Sequence, residues 1–422
     1  EAVTGFTNAD LSVAGGTLDT VSSGDGVTWT AIFTPSADFT SATNLVRLSG
    51  AGFTDAGGNN AAADTDSDNY AVDTARPTVT VSFGDTSLKA GETTLVTFTF
   101  SEAVTGFSNA DLTVGNGTLD AVSSADGGTT WSATFTPTAG VTSASNVITV
   151  SGLGLTDLAG NTGADTVDSG SYAIDTAPPT VSILVADNAL AAGESTLVTF
   201  TFSEAVSGFS NAAISIANGT LDAVSSADGG TTWTATFTPD ADTTAAGNLI
   251  SVDNTGYVDA AGNTGSDTTD SNDFLIDTAA PTVAITLDDS ALAAGESALV
   301  TFTFSEAVTG FSNSAVTVTN GTLDAVSSVD GGTTWTATFT PTAGVTSASN
   351  VITVDNTAIA DLIGNAGDGA TASANFTIDS ELPTVSIALA DSALSAGQSS
   401  LVTFTFSEPV TGFSNANVSI DN

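Results

Sequence analysis

The 422-residue sequence contains no cysteine, no methionine and no histidine, and it sets three basic side chains against 47 acids. Each absence removes a class of chemistry. Thiol redox, disulfide stapling, soft-metal sites, histidine-bound zinc and Ser-His-Asp or Cys-His catalysis all need side chains that are missing. A metal, if held, is held by oxygen. The formal charge of −44, with no basic residue after Lys89, excludes nucleic-acid binding, which rests on lysine and arginine neutralising phosphates. An anionic membrane surface is excluded on the same grounds. No stretch reaches the roughly 18 consecutive apolar residues of a membrane span. No signal peptide opens the chain, so export rests on indirect argument. Residues 179–382 lack lysine, which rules out Lys–Asn or Lys–Asp isopeptide crosslinks there.

What is present is repetition. Glu102, Glu204, Glu306 and Glu408 stand in Phe-Ser-Glu-(Ala/Pro)-Val at intervals of 102 residues, as do Trp29, Trp131, Trp233 and Trp335 and the prolines Pro77, Pro179, Pro281 and Pro383. Cutting at the prolines gives a partial unit 1–76, whole units 77–178, 179–280 and 281–382, and a partial unit 383–422. A chain that starts and stops in mid-unit reads as a window on a longer array. With 41% hydrophobic and 12% charged residues, the acids lie in a neutral Thr/Ser/Gly/Ala background that suits folded β-structure rather than disorder.

Within 179–280, Thr180–Ile183 and Leu197–Phe202 alternate polar and apolar residues, with Val198, Phe200 and Phe202 on one face. Ile214–Ile216 follows, then Asn218-Gly219 as a hairpin signal. Trp233, Ala235 and Phe237 share a face, Leu249–Val252 forms another strand, and Phe274–Ile276 closes the unit. About seven short strands in roughly 100 residues predict an all-β immunoglobulin-like sandwich, repeated as a tandem array in an elongated rod. The tryptophans and phenylalanines belong to the core.

Asp-Thr-Ala-Pro-Pro-Thr-Val at 175–181, Ala-Gly-Glu at 192–194, Phe-Thr-Phe-Ser-Glu-Ala-Val at 200–206 and Asp-Ala-Ala-Gly-Asn at 259–263 resemble the tandem bacterial immunoglobulin-like repeats of giant surface adhesins and biofilm-associated proteins. The resemblance covers the whole chain. It implies a secreted extender at the bacterial cell surface whose domain junctions bind Ca²⁺, with recognition done by other domains.

The topology of a sandwich leads to the same junctions. Strands run pole to pole, so Glu194 lies at the far pole, Glu204 and the Asp259–Asn263 loop at the near pole, and Asp277 leaves from the far pole. Stacking the next unit brings Glu306, Asp361 and Asn365 against Glu194 and Asp277. The equivalent sets are Asp73, Glu102, Asp157 and Asn161; Glu92, Asp175, Glu204, Asp259 and Asn263; and Glu296, Asp379, Glu381 and Glu408. Carboxylates gathered with no basic partner repel, and a hard oxygen-liganded cation resolves the repulsion; Ca²⁺, with six to eight flexible oxygen ligands, suits the set better than Mg²⁺. The competing reading is that these acids are turn and surface residues.

Other motifs carry less. Asp64-Thr65-Asp66-Ser67-Asp68 lacks the glycine and glutamate of a helix-loop-helix calcium loop, and decays to Asp165 and Asp168, to Asp267, Asp270 and Asp273, and to Asp368. Asn116, Asn218 and Asn320 match glycosylation acceptors, but their turn role accounts for them. Two functions remain: a Ca²⁺-stiffened extracellular rod or fibre whose partners are neighbouring repeats or other copies, or a repeated module binding glycan, ice or another cell. Near-copies of one unit argue against an enzyme such as a paired-carboxylate glycosidase. A regular row of outward threonines on one sheet favours the binding module.

Overall fold

A computed structural model describes residues 1–152 and 154–421. In residues 179–280 the strand Thr196–Phe202 buries Thr196, Val198, Phe200 and Phe202 and turns Leu197 and Thr201 outward, as its alternation requires. It pairs antiparallel with Val181–Val185 on one side and Thr232–Pro239 on the other; Gly219–Leu221 and Ser225–Ser226 also pair with Thr232–Pro239, completing a five-stranded sheet. The second layer is split in two. Ala189–Leu190 runs parallel to Phe274–Asp277, which pairs with Thr244–Asn248, while Ser251–Asp253 lies between Ile214–Ser215 and Thr268–Asp270. Val198, Phe200, Phe237, Ile250, Val252, Phe274 and Ile276 from both layers meet in one buried cluster. Burying each such side chain contributes about 1.5–3 kcal/mol. Residues 77–178 and 281–382 repeat this arrangement around their own cores. The chain is an all-β array of immunoglobulin-like repeats, and among the described residues no helix is long and apolar enough to cross a membrane.

Three sequence expectations change. The 179–280 unit has eleven short strands, not about seven, because a register shift at Ala245–Asn248 and the split second layer break long strands into short pieces. Asn218-Gly219 is not a hairpin. Asn218 does adopt the left-handed conformation (φ 57°), but Ile214–Ser215 before it pairs with Ser251–Asp253, while Gly219–Leu221 after it pairs with Thr232–Pro239. The turn therefore carries the chain from one layer to the other. Its glycine answers to close approach: a Cβ at Gly219 would lie 2.5 Å from the Phe237 ring and 2.6 Å from the Thr238 carbonyl. The Asn218 side chain is also engaged, donating to Asn248 Oδ1 at 2.8 Å. Trp233 stands at the rim of the core, half-buried, with its ring edge-to-face on Phe209 at 5.5 Å and Nε1 donating to the Gly230 carbonyl at 3.0 Å.

The partial units keep pieces of the pattern. In 1–76, Gly16–Leu18 pairs with Phe33–Pro35 and Tyr70–Asp73 with Thr40–Asn44; in 383–421, Val385–Leu389 pairs with Val402–Phe406 and leaves Ile387 and Leu389 exposed. The turn before each long tryptophan strand is organised by one aspartate. Asp228 accepts from the backbone N–H groups of Thr231 at 3.2 Å and Thr232 at 3.0 Å and from Ser226 Oγ at 2.9 Å. The hydrogen bond from the Thr232 backbone is the main cause that holds its carboxyl at about 2, below the ordinary 3.8. Because the folded value is depressed, the stability it contributes is complete above pH 3.8 and is lost as pH falls toward 2. Asp228→Asn is expected to unfold at a lower temperature than the native chain at neutral pH, with the gap closing between about pH 4 and 2; thermal unfolding across that range checks it, and a constant gap would contradict it.

Candidate metal centre at the unit junctions

At the junction of 77–178 with 179–280, each acid is placed by a different element. Asp175 ends the strand Tyr172–Asp175, Glu204 follows the strand Thr196–Phe202, and Asp259 opens the five-residue loop 259–263. One oxygen from each lies within 4.8 Å of the others. The next junction repeats the group with Asp277, Glu306 and Asp361, and the preceding one with Asp73, Glu102 and Asp157. In every case one carboxylate comes from the last strand of one unit and two come from the next unit, the glutamate early in its chain and the aspartate late.

The loop aspartate is the most buried member. Asp259 is 3% exposed; its Oδ1 accepts from the backbone of Gly262 at 2.7 Å and of Asn263 at 2.8 Å, and its Oδ2 from Asn263 Nδ2 at 2.8 Å. The strand-end aspartate is held by a threonine: Thr142 Oγ1 donates to Asp175 Oδ1 at 2.9 Å, and Thr244 Oγ1 to Asp277 Oδ1 at 2.8 Å. The glutamate has no such support. Burial, then the charges of Asp175 and Asp259, push the Glu204 carboxyl above its ordinary range. Burial and the facing aspartates do the same to Glu102 and Glu306. In the first junction Asp157 goes the other way: burial opposes it, but hydrogen bonds from the Asn161 side chain and from the Asn161, Gly160 and Ala159 backbone outweigh burial and hold its carboxyl low.

Two unit charges about 4.8 Å apart repel by about 3 kcal/mol at an effective dielectric of 20. Three such charges make a strained cluster, and the chemistry of the set fits Ca²⁺. Its bonds to oxygen run about 2.3–2.6 Å, so oxygens on opposite sides of the ion stand up to about 5 Å apart, which accommodates this spacing. Asp175, Glu204 and Asp259 would supply the hard ligands, with the remaining positions open to carbonyl oxygen or water.

The other residues of the expected sets are placed differently. Glu92, Glu194 and Glu296 stand near the junction pole but fold back on their own turns, where a carboxylate oxygen accepts from the backbone N–H of Lys89 at 3.1 Å, Ala191 at 2.9 Å and Ala293 at 2.8 Å. They are outside the three groups. Asn263 and Asn365 reach the junction, but each amide oxygen already accepts a backbone N–H from the preceding unit, Ala90 at 2.9 Å and Ala192 at 2.7 Å. Asn161 donates to Asp157 at 2.7 Å and to the Asp73 carbonyl at 3.2 Å. No group forms among Glu296, Asp379, Glu381 and Glu408 within the described residues. Asp379 accepts from Thr346 at 2.9 Å and Glu381 from the same hydroxyl at 3.4 Å, while Glu408 Oε1 is buried without a partner.

The expectation that no base accompanies the acids is corrected at the second junction. Lys89 lies against Gly262, where a Cβ would stand 3.5 Å from its Nζ, although its ion pair, at 3.8 Å, is with Glu92. The Asp64–Asp68 segment is a paired strand edge: Asp64 and Asp66 bond Arg47 at 3.3 and 3.8 Å, and the later equivalents Asp168 and Asp270 accept from Thr149 and Ser251 across the same strand pair. What the sequence did not reveal is the part played by Thr142 and Thr244, whose only signal is their fixed offset of 33 residues from the strand-end aspartate.

The junction of Asp277, Glu306 and Asp361 has two buried members and, among the described residues, no lysine or arginine bonded to it, so it is expected to be the tightest site. Glu306→Gln in the full chain is expected to abolish the strongest Ca²⁺ step in a calorimetric titration. In chelator the same variant should melt several degrees higher, since it removes the repulsion with Asp277 and Asp361 and each kcal/mol moves a domain of this size by roughly 4–8 °C. An unchanged titration would show that Glu306 holds no metal.

Comparisons with known proteins place this geometry in context. Among solved structures, the Escherichia coli adhesin FdeC matches at 15% identity, with a TM-score of 0.28, over 72% of this chain and 96% of its own. A tandem segment of titin matches at 8% identity, with a TM-score of 0.27, over 72% and 98%. The Yersinia pseudotuberculosis adhesin InvE matches at 16%, with a TM-score of 0.22, over 51% and 68%. A search of curated proteins gave no match. The sequence profile of the bacterial Ig-like domain matches five times, over residues 1–72, 73–174, 175–276, 277–378 and 379–422, starting four residues before the prolines used to divide the sequence. The matches run from end to end, and the chain belongs to the bacterial Ig-like domain family.

Proposed function

We propose that this chain is a non-enzymatic extender of a bacterial surface adhesin or biofilm matrix protein, stiffened by Ca²⁺ between its units. The observation that carries the reading is that each of the three junction groups draws its carboxylates from both sides of the junction. A cation bound there ties two domains together, and it turns short proline-bearing linkers such as Asp-Thr-Ala-Pro-Pro at 175–179 into fixed joints. Extracellular calcium modules work at about 10⁻⁴–10⁻³ M, a range that suits a site with only three carboxylates and supports the reading of a chain outside the cell. With each unit about 40 Å long, from strands rising about 3.3 Å per residue plus loops, tandem units project a distant partner rather than bind one themselves.

The test compares the full chain in Ca²⁺, in Mg²⁺ and in chelator at matched ionic strength. Calorimetric unfolding and small-angle scattering should show Ca²⁺ alone raising the melting temperature and narrowing the distribution of shapes. Identical curves in all three conditions would leave the acids as a solvation coat.

A second reading has its own observation. In all three whole units the strands of the five-stranded sheet carry no charged residue, although the chain holds 47 acids. In 281–382 the outward positions form a hydroxyl ladder: Thr286, Thr301, Thr336 and Ser327 stand opposite one another across four strands, with Thr303 opposite Thr334 beside them, and in 179–280 Leu184 takes the first place of the row. Such a face suits a neutral glycan, with repetition supplying avidity. If it binds polysaccharide, Thr336→Glu combined with Thr234→Glu should weaken retention on immobilised neutral polysaccharide at least tenfold; a native chain that is not retained removes this reading.

A further inference from the structure

Asn263 has every polar group committed. Its backbone N–H and carbonyl both bond Asp259, at 2.8 and 3.2 Å, which closes the loop on itself. The two side-chain donors divide between the units: one goes to Asp259 Oδ2 at 2.8 Å in its own unit, the other to the Asp175 carbonyl at 2.9 Å in the preceding one. The amide oxygen accepts the Ala90 N–H, also in the preceding unit, at 2.9 Å. Asn263 is 4% exposed, so these bonds are made out of water, where an unmade partner is costly. Asn365 repeats the set with Asp361 at 2.6 Å, the Asp277 carbonyl at 2.7 Å and Ala192 at 2.7 Å, and it is also 4% exposed. Asn161 makes the first two of these contacts at the first junction.

We infer that Asn263 and Asn365 are clamps that set the angle between successive units and hold the three junction carboxylates in reach of one another, acting as positioning residues and not as ligands. Three geometric points support this. The amide reaches two separate strands' ends of the preceding unit, Asp175 and Ala90, and two attachments fix a rotation where one would leave a swivel. The same two aspartates serve both functions: Asp259 gives its carboxylate to the clamp and the cluster, and Asp175 gives its carbonyl to the clamp and its carboxylate to the cluster. Finally, the sequence offsets are identical at the two junctions, 173 residues from the alanine and 88 from the strand-end aspartate. These two joints therefore take the same angle, and repetition of the set along an array would give it a regular pitch.

The clamp's effect on shape stands without a metal. Its effect on affinity rests on the junction-calcium reading and follows from pre-organisation, since residues that orient metal ligands typically change affinity about 10–100-fold when removed.

The experiment uses the full chain carrying Asn263→Ala with Asn365→Ala, and separately Ala90→Pro with Ala192→Pro. The proline pair removes the two N–H donors from the other side of the joint without touching the loop or the carboxylates, and it keeps the test decisive if the asparagine pair unfolds its loops. Small-angle scattering in chelator is expected to show both variants more flexible than the native chain, with the unfolding temperatures of the individual units unchanged in the proline pair. Calcium titration is expected to show unchanged stoichiometry with affinity at the clamped junctions about tenfold lower. Variants that scatter like the native chain in chelator would overturn the clamp. A native chain that takes up no calcium would overturn the metal reading instead, and the chelator comparison would then decide the clamp on its own.

Discussion

The loop from Asp259 to Asn263 closes through bonds between its first and last residues, and the arrangement of the junction depends on that closure. The loop presents a carboxylate whose two oxygens are both hydrogen-bonded and an amide whose remaining donor and acceptor project toward the preceding unit. Glu204 and Asp175 arrive from strand ends that the sandwich core places, so the cluster results from a rigid loop meeting two rigid strands. A buried aspartate carrying full charge costs free energy unless hydrogen bonds surround it, and here a few backbone N–H groups and one amide supply them. The glutamate opposite receives none to offset burial and the charges of the facing aspartates, which push its carboxyl upward, while hydrogen bonds hold the first junction's Asp157 down.

Charge in this molecule is sorted by position. The strands of the large sheets are free of acids, and their outward face is threonine, serine and leucine; the acids collect in turns, strand ends and junctions. At the turns they organise backbone, as Asp228 does. At the junctions they stand in groups that neither Arg47 nor Lys89 joins, because those bases are bonded to Asp64, Asp66 and Glu92. Each whole unit thus offers one uncharged sheet face, and the same three-way division recurs in every whole repeat.

The 102-residue spacing, the alternation of Val and Phe with Thr, and the turn residues made the sandwich, its repetition and the pole of each loop legible in the sequence. These are local or periodic features, and a period of two states which side of a strand faces inward. Pairing partners were not legible. Asn218-Gly219 has hairpin chemistry, yet the chain crosses between layers there, because the neighbours of Ile214 and Leu221 are chosen by the core and not by the turn.

The same division holds at the site. The sequence assigned Asp175, Glu204 and Asp259 to one junction together with Glu92 and Asn263, by strand direction and loop order, and the structure brings the three carboxylates together. Sequence alone did not determine what the side chains do on arrival. Glu194 reaches the right pole and turns back to its own backbone, and Asn263, equally suited by type to be a ligand, spends its amide on bridging two units. Which residue type stands at which pole is a property of chain order. Which oxygen remains free for a cation is decided by hydrogen-bond partners as distant as 173 residues in sequence, and only the folded array brings those within 3 Å.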